Sequence, residues 1–292
     1  MQSIFENKRY KDLKVKDGVF VPDMENKFSE EHPYVHMFPI IKVKHIDFDE
    51  NYPYYDDSLW FKFHHFICMT TVHTLLNIGM RFRWGLRVKG QEILKKYKKE
   101  LANGALTIAN HCYRLDAVSV LIATRAWNTR IPVFGENMET KEHWTIWSVG
   151  GVPIPATMAA TKKFNEAFDR IHENKWWIHV FPEECRWDFY KPIRPFRKGA
   201  FTMAYRYDLP IIPCCITFRE RKGIHKLFGQ KGDPCITITL GEPIIPNKEN
   251  NRKDEIDRLR QESQQTLIHM AGIENNTWPI AMDNEPTDPE EK

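Results

Sequence analysis

The sequence predicts an α/β fold, namely a mixed, largely parallel sheet covered by helices and preceded by an N-terminal membrane-interface helical segment. Short β-prone apolar runs alternate with amphipathic segments from residue 86 to residue 272, as in a sheet built with crossover helices. A length of 292 residues with 42% hydrophobic content is enough for one such core. An aromatic-rich segment of helical character, residues 59–85, comes before this pattern.

The same patterns divide the chain into four parts. Residues 1–58 lack a helical period and are expected to form an extended arm, with a short strand at 40–46, that packs on the main domain or on a partner. Residues 59–85 form the helical segment and residues 86–272 the α/β domain. Residues 273–292 are acidic towards the end and are expected to be a disordered tail.

Hydrophobic periodicity and turn residues predict seven strands and six helices within the α/β domain. The expected strands are 86–90, 105–109, 131–135, 152–154, 176–181, 211–218 and 235–240. The expected helices are 92–100, 116–127, 139–149, 157–174, 199–207 and 252–270.

The helical segment 59–85 has two possible explanations. Its many aromatic side chains and the basic residues that follow are typical of a helix lying in a bilayer interface. Alternatively, the helix packs on the domain's own sheet. No run of about 18 uninterrupted apolar residues occurs, so a membrane-spanning helix is not expected. The adjacent His64 and His65 are expected to be polar-face residues rather than a metal pair.

Composition excludes some functions. A net charge of +3 gives no bulk signal for nucleic-acid binding, and six cysteines without a C-x-x-C pair favour a reducing compartment over a disulfide or zinc framework. Neither a G-x-S-x-G elbow nor a G-x-G-x-x-G or P-loop motif is present. We expect no metal and no cofactor.

The clearest chemical signal is His111 followed five residues later by Asp116. On a regular helix this spacing separates the side chains by about 140°, so they meet only if the histidine lies in a loop and the aspartate in the first helical turn. Such a pair, at the carboxyl end of a strand, would make a general base. The alternative is that Asp116 is an N-cap and His111 an ordinary loop residue.

A second polar group follows the strand predicted at 176–181. The strand leads into Glu183 and Arg186, at the edge where α/β sheets bind ligands. Arg194, Arg197 and Lys198 then precede the helix predicted at 199–207. A cationic cluster at a helix N-terminus favours anions, whereas the alternative is a solvated basic loop.

Together these blocks resemble those of the glycerolipid acyltransferase family that includes the 1-acylglycerol-3-phosphate O-acyltransferases. Residues 110–116 match its H-x4-D block, and residues 181–186 resemble its F-P-E-G-T-R block with Glu184 in place of glycine. Residues 195–201 and 211–215 resemble two further blocks, in family order. The similarity extends from about residue 87 to residue 246.

The resemblance implies acyl transfer from acyl-CoA or acyl-ACP to the hydroxyl of a lysophosphatidic acid-like lysolipid in phospholipid biosynthesis. His111 would be the general base and Asp116 its partner, while Glu183, Arg186 and Lys198 would bind the acceptor. Cys112, beside the histidine, is the less favoured alternative as a nucleophile. The enzyme is expected on the cytoplasmic face of the cell membrane, peripheral or monotopic, with acyl carrier protein as a partner if it is the donor.

One block departs from the family pattern. Ala156 stands where the family commonly has an arginine associated with the acceptor's phosphate, although Lys162 or Lys163 would be able to substitute. The acceptor is then either lysophosphatidic acid or another lysolipid, such as a lysophospholipid or a lyso-amino-acid lipid. A catalytically inactive membrane-binding homologue is the remaining alternative.

Overall fold

The computed structural model describes residues 10–16, 19–24, 28–29, 31–37, 39–228 and 234–280. Its centre is a seven-stranded sheet whose strands are β3 (Arg87–Lys89), β4 (Leu106–Ala109), β5 (Thr129–Phe134), β6 (Gly151–Ile154), β7 (Trp177–Val180), β8 (Ile211–Arg219) and β9 (Cys235–Leu240). They lie in the order β3-β9-β8-β4-β7-β5-β6. Five neighbouring strands, from β8 to β6, are parallel, whereas β9 is antiparallel to β8 and parallel to β3. The predicted mixed, largely parallel α/β fold is therefore confirmed.

Helices precede the sheet and connect its strands. Ten α-helices lie in the described part of the chain, with a π-helical turn (Val72–Leu76) joining the first two and a 3₁₀ turn at Glu100–Asn103. They are α1 (Leu59–Thr71), α2 (Asn77–Arg83), α3 (Ile93–Lys96), α4 (Asp116–Thr124), α5 (Gly135–Met138), α6 (His143–Ser148), α7 (Met158–Glu173), α8 (Gly199–Tyr207), α9 (His225–Phe228) and α10 (Arg252–Met270).

Alternate residues of the central strands enter two separate cores, because successive side chains of a strand point to opposite faces. Leu106 and Ile108 of β4 pack with α7, α8 and α10. Ala105 and Ala109 belong to the other core, which contains α4 and the buried side of the α1–α2 segment. All seven strands that we predicted for the domain are present, and their ends differ from the predicted ones by at most two residues.

The N-terminal arm differs from the prediction in two ways. Residues 40–46 contain no strand; there, Val43 N–H donates instead to the carbonyl of Glu139 (2.9 Å). A β-hairpin that we did not predict lies earlier, formed by the antiparallel strands β1 (Tyr10–Lys16) and β2 (Val19–Met24).

The expected disordered tail is wrong for its first part. The Asn276 side chain exchanges hydrogen bonds with the backbone of Ile193, and Trp278 is buried against Trp187. Residues 273–280 are therefore packed on the domain. The remaining residues of the predicted tail, 281–292, lie outside the described residues.

The segment α1–α2 buries one side and exposes the other. Phe61, His65 and Met69 pack on the domain, so His65 is not the polar-face residue that we expected. Its Nδ1 lies 2.8 Å from the carbonyl of Ser148, and its Nε2 lies 3.0 Å from that of Trp127. The exposed side carries large apolar side chains, namely Leu59, Trp60, Phe63, Phe66, Ile67, Leu75, Ile78 and Phe82. In the described part of the chain, none of the helices has both the length and the apolar character that crossing a bilayer requires.

Candidate active site

The candidate active site lies at the carboxyl edge of the parallel strands. His111 follows β4, and Phe181 follows the neighbouring strand β7. The two rings are stacked with their centroids 4.0 Å apart. Stacking fixes the plane of the imidazole while about a fifth of the His111 side chain stays exposed (21%). The histidine is thus held at the edge of the sheet where α/β proteins bind ligands.

Asp116 begins α4 and folds back on the loop that precedes it. Its Oδ2 lies 3.1 Å from Nδ1 of His111, and it also accepts the backbone N–H groups of Cys112 (2.7 Å) and Tyr113 (2.8 Å). The contact that we predicted from the five-residue spacing is present. The capping alternative is wrong, because Leu115 is the N-cap of α4 and the Asp116 side chain binds N–H groups that precede the helix.

This arrangement favours one tautomer of His111. With a carboxylate at Nδ1, the imidazole carries its proton there and Nε2 keeps a lone pair. Burial lowers the pKa of His111 well below its usual value, and the positive charges of Arg186 and Arg194 lower it further. Burial raises the pKa of Asp116, while the two backbone N–H donors oppose that shift. A neutral imidazole at neutral pH is the form required of a general base.

Glu183 is part of the scaffold rather than an exposed ligand. Its side chain is almost fully buried, and Arg194 binds both carboxylate oxygens, through its backbone N–H to Oε1 (2.9 Å) and its guanidinium to Oε2 (3.1 Å). Oε2 also accepts the backbone N–H of His111 at 3.0 Å. The expected direct contact of Glu183 with the acceptor is therefore corrected to a role in positioning the histidine loop.

The other predicted binding residues are each engaged with a carboxylate. Arg186 lies 2.8 Å from Asp188 and is near enough to His111 to influence its pKa. Lys198 pairs instead with Asp257 of α10 (3.1 Å). The cationic cluster predicted before α8 is thus not an open anion site, since Arg194 is buried and Lys198 faces the last helix.

Cys112 lacks the properties of a nucleophile. Its side chain is buried, and burial together with the negative charge of Asp116 raises the pKa of its thiol well above the usual value. The thiolate, which is the reactive form, is therefore strongly disfavoured.

Two positioning residues were missed by the sequence analysis. The amide of Asn110 donates to the carbonyl of Ile216 (2.9 Å) and accepts its N–H (2.8 Å), which fastens the end of β4 to β8. The Trp187 backbone N–H donates to the carbonyl of His111 (3.0 Å). Asn110 stands directly before the histidine, but its contacts depend on the pairing of strands that are far apart in sequence.

Comparison with known proteins finds acyltransferases among those similar to this chain. Residues 85–217 match the family model described as Acyltransferase. A stretch of 110 residues is 26% identical to the 1-acyl-sn-glycerol-3-phosphate acyltransferase of Saccharomyces cerevisiae. Residues 85–217 therefore form an acyltransferase domain, with sequence similarity to a glycerolipid acyltransferase.

The match to the yeast protein covers 37% of this chain and only 35% of that relative. The chain is also similar to the crystal structure of the 1-acyl-sn-glycerophosphate (LPA) acyltransferase, PlsC, from Thermotoga maritima. That similarity covers 75% of this chain and 98% of the other, with 17% identity and a TM-score of 0.43.

Proposed function

We propose that this protein transfers an acyl group from a thioester, acyl-CoA or acyl-ACP, to the hydroxyl of a lysophosphatidic acid-like lysolipid in phospholipid biosynthesis. The single observation that carries the proposal is the contact of His111 Nδ1 with Asp116 Oδ2 at the carboxyl edge of the sheet, within the acyltransferase domain. The name of the yeast relative supports the choice of acceptor.

In the proposed reaction, Nε2 of His111 removes the proton from the lysolipid hydroxyl as its oxygen attacks the thioester carbonyl carbon. The tetrahedral intermediate then collapses, the C–S bond breaks, and the thiolate takes the proton from the imidazolium. General-base assistance of this kind contributes roughly 10²–10⁴-fold in rate. Because a thioester is already activated, the reaction requires neither a metal ion nor a covalent enzyme intermediate.

Asp116 would hold the productive tautomer of His111 and stabilise the imidazolium that forms. Glu183 would support it by fixing the backbone N–H of His111, since Arg194 holds that carboxylate in place. The residues that we assign to catalysis are therefore His111 and Asp116, and we assign the partly exposed Arg186 to the acceptor's polar head.

The substrates of this reaction are membrane lipids, and the exposed apolar side of α1–α2 supports a position at the bilayer surface. A contiguous group of exposed aromatic and aliphatic side chains is rare on a surface that faces only water. Two basic residues at the end of α2, Arg81 and Arg83, would bind the head groups of anionic lipids electrostatically. The protein would thus bind the membrane as a monotopic or peripheral enzyme, on the cytoplasmic face.

A different lysolipid acceptor is the second candidate. Ala156 is exposed just beyond β6 and carries no charge, and Lys163 pairs with Glu166 of its own helix (3.0 Å). Glu184 adds a carboxylate that binds Arg197. These features reduce the positive charge available for a phosphate monoester and favour a phosphodiester lysolipid.

The test is acyl transfer by the purified full chain with acyl-CoA and acyl-ACP, against lysophosphatidic acid and a panel of other lysolipids. His111→Ala should lose at least about a hundredfold in kcat, whereas His269→Ala, an exposed histidine of α10, should keep wild-type activity. Turnover retained by His111→Ala would refute the mechanism. A wild-type chain that binds liposomes but consumes no thioester would instead identify a catalytically inactive homologue.

A further inference from the structure

The N-terminal arm reaches the site through a short segment, residues 33–36, which we call the docked arm. Three consecutive backbone carbonyls of this segment each accept a hydrogen bond from the main domain. Arg194 Nη1 donates to the carbonyl of Pro33 (2.6 Å), the Cys185 thiol to that of Tyr34 (2.8 Å) and the Trp187 indole to that of Val35 (2.8 Å).

Packing strengthens this docking. Tyr34 is buried, and the guanidinium of Arg197 lies over its ring at 3.7 Å from the centroid. Three hydrogen bonds to successive carbonyls define the path of the backbone at each residue. The docked arm is therefore held in a defined position against the domain.

The groups that hold the docked arm are the same ones that hold His111. Arg194 binds Pro33 with one nitrogen and Glu183 with another, and Glu183 accepts the backbone N–H of His111. Trp187 donates to Val35 through its indole and to His111 through its backbone. The arm and the catalytic loop thus share one hydrogen-bonded support.

His36 comes next in the chain and is exposed. Its ring contacts that of Phe134 edge to face, with centroids 5.6 Å apart. Phe134 ends β5, which is separated from β4 by β7 alone in the sheet order, so Phe134 and His111 lie at the same carboxyl edge of the sheet. His36 is also close enough for its charge to act on His111.

We propose that His36 is a specificity-determining residue that binds the phosphate of the acceptor's head group. An imidazole N–H is a good hydrogen-bond donor to a phosphate oxygen, and more so when protonated. His111 would contact the acceptor's hydroxyl. His36, at the same edge of the sheet, would bind its phosphate. This inference rests on the proposed lysolipid acyltransferase activity and gives the otherwise unassigned arm a part in it.

The experiment compares wild type, His36→Ala and His36→Asn with three acceptors, namely lysophosphatidic acid, a lysophospholipid with a phosphodiester head, and monoacylglycerol. His36→Ala should raise KM about tenfold for the phosphate-bearing acceptors, with kcat within about twofold. Monoacylglycerol should show no change, and His36→Asn, which keeps an N–H donor, should recover part of the loss. A rise confined to the monoester or to the diester would show which source of phosphate the residue serves.

A second measurement covers the case in which monoacylglycerol is not a substrate. Glycerol 3-phosphate is used as a competitive inhibitor, and its Ki should rise about tenfold in His36→Ala. His45→Ala, a histidine of the same arm that binds Glu139, is the matched control and should leave both KM and Ki unchanged. Thermal unfolding of each variant shows that the fold is retained.

Trp187→Phe tests the docking itself, because it keeps an aromatic ring and loses the indole N–H to Val35. Release of the arm should raise KM for the same acceptors, and combining it with His36→Ala should add little. The inference is overturned if His36→Ala leaves KM and Ki unchanged, or raises KM equally for monoacylglycerol. If the wild type acylates no lysolipid, it is the proposed function that fails.

Discussion

The carboxylate of Glu184 lies 2.9 Å from Nε of Arg197, although the Glu184 backbone has a φ of 62° in the left-handed region. This is the position at which the related family block has glycine. Left-handed backbone costs a residue with a Cβ about 1–2 kcal/mol, which glycine avoids. The ion pair with Arg197, which also packs on Tyr34, links this turn to the docked arm.

The strain at Glu184 can be separated from its ion pair by two substitutions. Both Glu184→Gly and Glu184→Ala remove the carboxylate, but only glycine relieves the left-handed backbone. We expect Glu184→Gly to be more stable than Glu184→Ala by about 1 kcal/mol in urea unfolding. Equal stability of the two variants would contradict strain at this turn.

Asp116→Asn should reduce kcat by about 10²–10⁴-fold with little change in KM. The amide resembles the carboxylate in shape, but its N–H₂ and oxygen no longer favour the tautomer with the proton on Nδ1 of His111. Steady-state kinetics measure the effect, and circular dichroism checks that α4 still forms. Activity within a few-fold of wild type would show that Asp116 only holds the loop that precedes α4.

Acid pH should destabilise the protein through His179, a fully buried histidine of β7. Burial lowers its pKa to about 3, whereas in the unfolded chain an imidazole takes up a proton below about pH 6.5. Between these values the unfolded state binds more protons than the folded state. The free energy of unfolding therefore falls by up to about 1.4 kcal/mol per pH unit as the pH decreases.

His179→Gln removes this contribution, so its unfolding free energy should fall less steeply than that of wild type from about pH 6 to about pH 4. Urea unfolding at several pH values measures both slopes. The comparison concerns the slopes alone, so a constant loss of stability in the variant does not affect it. Parallel curves would contradict the linkage.

Membrane binding should depend on the exposed side of α1. Phe63 and Phe66 are 57% and 62% exposed, so glutamate at both positions should leave folding intact. Each buried phenylalanine is worth about 1.5–3 kcal/mol, and the double variant should therefore bind anionic liposomes at least tenfold more weakly in flotation. Ile41→Glu in the arm, at a residue 74% exposed, is the control. If the double variant floats as wild type does, α1 is not the membrane-binding element.

The sequence predicted the sheet and most of its helices because their periodicity is local. For example, α8, α10 and β9 have the predicted bounds, since each is a strong pattern closed by turn residues. The pairing of His111 with Asp116 was also predictable, because both lie within one strand–loop–helix unit and only the helix start had to be located.

The same local patterns led to wrong predictions for residues whose burial and contacts depend on distant parts of the chain. Glu183 and Arg194 look like exposed charges in sequence, yet they form a buried pair that supports His111. His65 looks like a polar-face residue, yet it is held between two loop carbonyls.

The sequence alone determined the α/β class, the order of the blocks and the adjacency of imidazole and carboxylate, since these follow from spacing within single elements. Only the tertiary structure decided which charges are buried, which side of α1–α2 is exposed, and that residues 33–36 lie against the catalytic loop. The physical reason is that burial and long-range hydrogen bonds arise when separate segments meet. Nothing in the residues around Pro33 indicates that Arg194, 161 positions later, binds its carbonyl.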